Sequence, residues 1–155
     1  MIEQKSEEVG LSAPYLLEYN YKRTLGPVLT KFFTGLREGE LYGIVATDGR
    51  VLMPPQEYDP VTGAELSELV PLGDTGVVTT WSWIAHPRRS HPLDQPFAWA
   101  LIQLDGADTA FVHVVSVDSP DQMQCGMRVR AKWSKERVGY ITDISSFIPE
   151  EGADE

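Results

Sequence analysis

The chain has 155 residues, 42% of them hydrophobic and 10% aromatic, enough for one domain with a real core and not the composition of a disordered chain. Its 23 acidic and 13 basic side chains give a formal charge of −10, so its surface as a whole repels a polyanion such as duplex DNA. No apolar run spans a bilayer, the acidic start MIEQKSEE does not resemble a signal peptide, and the single cysteine, Cys125, excludes an intrachain disulfide or a multi-cysteine metal site; the cytoplasm is the expected compartment.

Residues 1–12 are polar without periodicity and read as a tail. Residues 14–25, PYLLEYNYKRTL, carry Tyr15, Tyr19 and Tyr21 and read as an arm that packs on its own domain or on a partner. After Gly26, the residues Val28, Leu29, Phe32, Phe33 and Leu36 fall at helical spacing. With Pro27 in the first turn and Gly39 past the end, they predict an amphipathic helix that must dock its apolar stripe. Residues 41–45 and 50–53 are short strands around the turn Ala46-Thr47-Asp48-Gly49. Pro54-Pro55 ends that hairpin, and Asp59-Pro60-Val61-Thr62-Gly63 is a second turn.

The stretch from Gly76 to Gly106 organises the remainder. It reads as two strands joined by the proline-rich loop AHPRRSHPLDQP. Strict alternation puts Val77, Thr79, Trp81 and Trp83 on one face of the first strand, and Val78, Thr80, Ser82 and Ile84 on the other. Phe97, Trp99 and Leu101 oppose Ala98, Ala100, Ile102 and Leu104 in the second. Further strands are expected over 109–117, 126–133 and 138–147, before an acidic tail at 150–155. The pattern predicts a mainly β chain with a five-stranded OB-type barrel over 73–148. The N-terminal tail and arm (1–25) and the helix with the two-turn element (26–72) precede it, and the acidic tail (149–155) follows.

The motifs FFTGLREGELYG, DGRVLMPP, DPVTG, GVVTTW, PFAWALIQLDG and GMRVRAKW occur in that order. Together they resemble the acyl-CoA-associated OB-fold family with an N-terminal helix and a rubredoxin-like zinc ribbon, domain-of-unknown-function family thirty-five. The resemblance spans residues 26–147. It implies a subunit that accompanies a thiolase-like enzyme of the sterol-carrier-protein type in a hetero-oligomer. Such a subunit helps hold an acyl-CoA thioester, including in steroid side-chain degradation, and is non-catalytic on its own. In the family's ribbon two knuckles supply four thiolates to zinc. Val45 and Asp48, then Asp59 and Thr62, stand at those positions here, which implies that the metal site is lost while its turns are kept. Leu41, Ile44, Leu52 and Met53 packing with Tyr58 are expected to hold the element instead.

Between Pro120 and Tyr140 five cations face only two carboxylates, which points to one small anionic ligand. Alternation puts Arg128, Arg130 and Lys132 on one strand face, roughly 7 Å apart, a spacing suited to the phosphates of coenzyme A. The plainer reading is a solvated barrel face. Arg88 and Arg89 on the proline-rich loop are the rival anion site. His86, His91 and His113 lack metal-ligand spacing, so neither a metal nor another cofactor is expected. Ser82, Ser116 and Cys125 lie in no nucleophile motif, and Cys125 reads as a small buried filler. Phe32, Phe33, Leu36, Trp81, Trp83 and Trp99 are the expected partner surface. The alternative function is single-stranded nucleic-acid binding, with Trp81, Trp83 and Trp99 as stacking platforms, against which the net charge argues.

Overall fold

The computed structural model describes residues 12–19, 22 and 24–150. Residues 1–11 of the expected tail, Tyr21 in the arm, and the acidic tail beyond Glu150 lie outside the described residues. Helix α1 covers Pro27–Glu38 and ends at Gly39, as the spacing predicts. Its stripe Val28, Phe32 and Leu36 is buried and bridges two cores. Phe32 and Leu36 pack with the barrel interior, while Val28 joins Ile44, Ala46, Leu52 and Leu66 in a smaller cluster.

Strands β1 (Leu41–Val45), β2 (Val51–Leu52) and β3 (Leu69–Leu72) form a small sheet in the order β2-β1-β3. The strand β3 escapes sequence reading because Pro71 interrupts it, which an edge strand tolerates. Both expected turns form, with Gly49 at φ 86° and Gly63 at φ 71°, where an L side chain would be strained. Tyr58 does not hold this element, contrary to expectation: it is 60% exposed. Ile44 and Leu52 belong to the smaller cluster, and Leu41 and Met53 to the barrel core.

Strands β4 (Thr75–Ile84), β5 (Phe97–Leu104), β6 (Ala110–Val115), β7 (Arg128–Trp133) and β8 (Ile144–Pro149) close into a barrel in the order β4-β5-β6-β8-β7. This is the expected OB architecture, with two corrections. In β4 the register passes from Val78 opposite Ile102 to Thr80 opposite Leu101, leaving Thr79 as a bulge. The extra residue inverts the alternation, so buried Val78 shares the inner face with Trp81 and Trp83, which pack on the core. The last strand starts at Ile144 and not at Val138. Buried Asp143 folds residues 138–143 back by accepting the N–H groups of Val138 (3.0 Å), Gly139 (2.7 Å) and Tyr140 (3.2 Å).

All pairings are antiparallel except that of β6 with β8, which meet in parallel at the single pair Val115–Phe147. Ser116 N–H donates to Phe147 O at 2.8 Å beside it. The Phe147 side chain is fully buried and meets the rings of Phe111 and His113 edge-on at 5.9 and 5.4 Å. Phe147→Ala therefore opens a cavity at the seam and should cost about 3–5 kcal/mol in urea unfolding, against about 1 kcal/mol for Ile102→Val in the barrel middle. Equal costs would show that the seam is no more critical than the rest of the core.

Candidate functional site

On β7 the cations alternate outward as predicted, with Val129 and Ala131 buried on the inner face. They are not free, however. Arg128 donates from Nη1 and Nη2 to both oxygens of Asp105 (2.7 and 2.6 Å) and from Nε to Glu150 (3.1 Å). Arg130 donates to Glu150 at 2.7 Å and lies 3.7 Å from Asp74. The Arg128 guanidinium, then the Thr75 hydroxyl, hold Asp105 down to about 2. Arg130 first, then Arg128, pull Glu150 below the usual carboxylate range. Two guanidiniums thus face three carboxylates, and the local cation excess of the sequence becomes a lock between β7, the β5–β6 turn and the end of β8. Lys132 is exposed, with no ion pair among the described residues.

Arg88 and Arg89 differ. They stand exposed on the 85–96 loop without a carboxylate partner among the described residues. Their turn is fixed by His91 N–H to Arg88 O (2.8 Å) and Arg88 N–H to His91 Nδ1 (3.1 Å). The same loop supplies Ser90, Pro92 and Leu93 to a pocket of about 750 Å³ that also takes in Trp99 of β5 and His113 of β6. His113 is 7% exposed, and its buried Nδ1 has no hydrogen-bond partner. Burial lowers its pKa and keeps the ring neutral. The sequence places His113 among possible metal ligands only, and nothing in its spacing marks this pocket.

In the two-turn element one carboxylate holds both turns. Asp59 Oδ2 accepts from the Thr47 N–H (2.9 Å) and hydroxyl (2.7 Å), while Oδ1 accepts from the N–H groups of Val61 (2.8 Å) and Thr62 (2.9 Å). The Thr47 hydroxyl first, then these amides, hold Asp59 far below the usual carboxylate range. Asp48 turns away to Arg50 at 2.7 Å, and Val45 keeps its place in β1. Among the described residues no group of three or more His, Cys, Asp or Glu side chains is placed to hold a metal ion.

Several expected roles change. Phe32 and Leu36 are buried in the chain's own core, and Trp81 and Trp83 turn inward, so these four do not form a free partner surface. Phe33 is half-buried beside Leu25, Val138 and Tyr140 in a second depression, and Trp99 walls the larger pocket. Cys125 is exposed and not a buried filler, because it precedes the Gly126 turn at φ 88°. Within the arm, Tyr15, Leu16, Leu17 and Tyr19 are 60–84% exposed. No helix among the described residues is long and apolar enough to cross a membrane.

Comparison with known proteins agrees with the motif resemblance. Residues 69–134 match the family model described as the ChsH2 C-terminal OB-fold domain. A DUF35 domain-containing scaffold protein of Pyrococcus furiosus is 24% identical over 102 residues, 65% of this chain and 74% of the relative. The fold resembles the solved Ltp2-ChsH2(DUF35) aldolase with a TM-score of 0.59 at 20% identity, covering 83% of this chain and 98% of that chain. A DUF35-family protein of unknown function from Sulfolobus solfataricus gives 0.56 at 20% identity, covering 69% and 77%. The DUF35 resemblance is thereby borne out, and at these identities the structural likeness establishes the fold.

Two titrations test this geometry. His113 releases its proton more readily when folded, so the unfolded chain binds more protons and stability falls as pH drops below about 6.5. The melting temperature should fall between about pH 7 and pH 5, and His113→Phe should flatten that slope; an unchanged slope would mean that the ring is protonated in place. Asp59 has the opposite shift. Its stabilisation is complete above about pH 4 and is lost as pH falls through the lower folded value. Amide exchange at Val61 and Thr62 should therefore accelerate in acid, and in Asp59→Ala at neutral pH; protection unchanged in the variant would refute the staple.

Proposed function

We propose, from a barrel of the ChsH2 C-terminal OB-fold type, that this chain is a non-catalytic subunit of a thiolase-like, sterol-carrier-protein-type enzyme in the cytoplasm. It helps hold the acyl-CoA thioester, in lipid or steroid side-chain degradation. The observation that carries the reading is the barrel match over residues 69–134, joined by the likeness to a DUF35 scaffold protein and to the Ltp2-ChsH2(DUF35) aldolase. The side chains support it. Cys125 sits on an exposed turn and Ser82 on the outer barrel face, neither hydrogen-bonded to a base among the described residues. Apolar surface remains for an enzyme at Val112, Val138 and Tyr140, each more than half exposed.

The phosphates of the thioester meet Arg88 and Arg89, because Arg128 and Arg130 already hold carboxylates. A loop guanidinium can grip a phosphate bidentately, and its exposure keeps the gain modest. The nucleic-acid alternative loses its supports: Trp81 and Trp83 pack inward, and the β7 arginines are neutralised.

The test is co-purification of the untagged chain with thiolase-like enzymes, followed by acyl-CoA turnover assays. Turnover should need both proteins. In the complex, Arg88→Ala with Arg89→Ala should raise the apparent thioester constant about tenfold, one to two charge-assisted contacts' worth. Arg128→Ala and Arg130→Ala should lower the melting temperature and leave that constant alone. Turnover by the chain alone, or a constant that follows the β7 arginines instead, would overturn the assignment.

A further inference from the structure

The barrel wall opens where β6 and β8 part. The two strands pair only at Val115 and Phe147, and before that pair residues 138–143 fold back on Asp143 without running alongside β6. The wedge so formed is the pocket of about 750 Å³, within the range of sites for small organic ligands. Its walls are largely apolar: Leu93, Trp99, Val112, Val114, Ile141 and Ile144. Two hydroxyls of the wall already have acceptors, Ser134 on Thr142 O at 3.0 Å and Ser145 on Lys132 O at 2.8 Å. The one buried ionisable wall, His113, is uncharged. Such a lining rewards burial of methylene groups and presents no opposite charge to a buried ion.

Two adjacent cations border this wall in sequence on the 85–96 loop. Arg88 and Arg89 precede the wall residue Ser90 directly, and the single acid of the 85–96 loop is Asp94. Past Ser134, on the far wall, Lys135 and Glu136 offset each other. A largely apolar slot whose wall residue Ser90 follows two exposed guanidiniums, neither in an ion pair among the described residues, matches an amphipathic ligand.

We infer that the wedge binds an aliphatic chain tied to an anionic head, the chain lying between β6 and β8 and the head at Arg88 and Arg89. This deepens the proposed function, on which it rests for the head: a thioester would place its phosphates on the loop and its acyl end in the slot. The binding belongs to the isolated chain, so it is tested without any enzyme, and its failure leaves the subunit assignment to the co-purification.

The probes are decanoate, decanoyl-CoA and decanol, titrated into the full chain and followed by the fluorescence of Trp99, the only one of the four tryptophans in the wall. Saturable binding of both anionic probes is expected, and the tighter of the two names the source of the head. Val112→Trp fills the slot from a position 58% exposed, so the fold should tolerate it. That variant should weaken all three probes about tenfold or more, by displacing the methylenes. Arg88→Ala with Arg89→Ala should weaken the anionic probes about tenfold and leave decanol unchanged. The His113 ring resonances should shift on binding in the wild type, and not in Val112→Trp, which separates occupancy of the wedge from attachment elsewhere. No saturable binding, or undiminished binding by Val112→Trp with native circular dichroism, would overturn the inference.

Discussion

A five-stranded sheet in this strand order closes only if two of its strands run parallel, and here that closure is one residue pair, Val115 with Phe147. Parallel strands need no tight turn between them, so the chain from β6 to β8 is free to pass through β7 first. The consequence is a seam with little ladder to hold it. Aromatic packing does that work, with Phe147 set against Phe111 and His113 inside the barrel. A tighter seam would add backbone hydrogen bonds and erase the wedge. The barrel therefore carries this cavity where its closure is weakest, which is also where the 85–96 loop arrives.

The other strand pairs are antiparallel ladders, and ion pairs reinforce their ends. Arg128 ties β7 to the β5–β6 turn through Asp105, and with Arg130 it ties β7 to the end of β8 through Glu150. These groups are partly exposed, so each pair alone contributes little; their value lies in forming a network that fixes strand ends. The same network occupies Arg128 and Arg130 and leaves Lys132 as the one cation of β7 without an ion pair among the described residues. Charge counted along a sequence window is not charge presented by a surface, since Asp74, Asp105 and Glu150 all lie outside the basic stretch they neutralise.

The helix, both turns and the barrel were legible in the sequence because their signals are local: helical spacing at Val28, Phe32 and Leu36, and Gly-bearing turns at 46–49 and 59–63. The phase of β4 was not legible. A bulge at Thr79 leaves no mark in composition, yet it sends Trp81 and Trp83 inward. The start of β8 was hidden for a related reason, since Asp143 recruits three upstream amides that read as strand. The candidate site was half legible. Arg88 and Arg89 stand out by charge, whereas the wedge beside them is made by residues from five separated segments and exists only once the barrel has closed.

Two aspartates, Asp59 and Asp143, each organise a turn by gathering several amides. For Asp59 this has a consequence for how the element assembles. A ribbon clasped by thiolates and an ion completes itself in a bimolecular step, and its folded fraction follows the supply of that ion. The Asp59 clasp uses only Thr47, Val61 and Thr62 of the same chain. Its formation is unimolecular, so these contacts form to the same extent at any concentration of chain or ion, and no change in thiol redox state can open them.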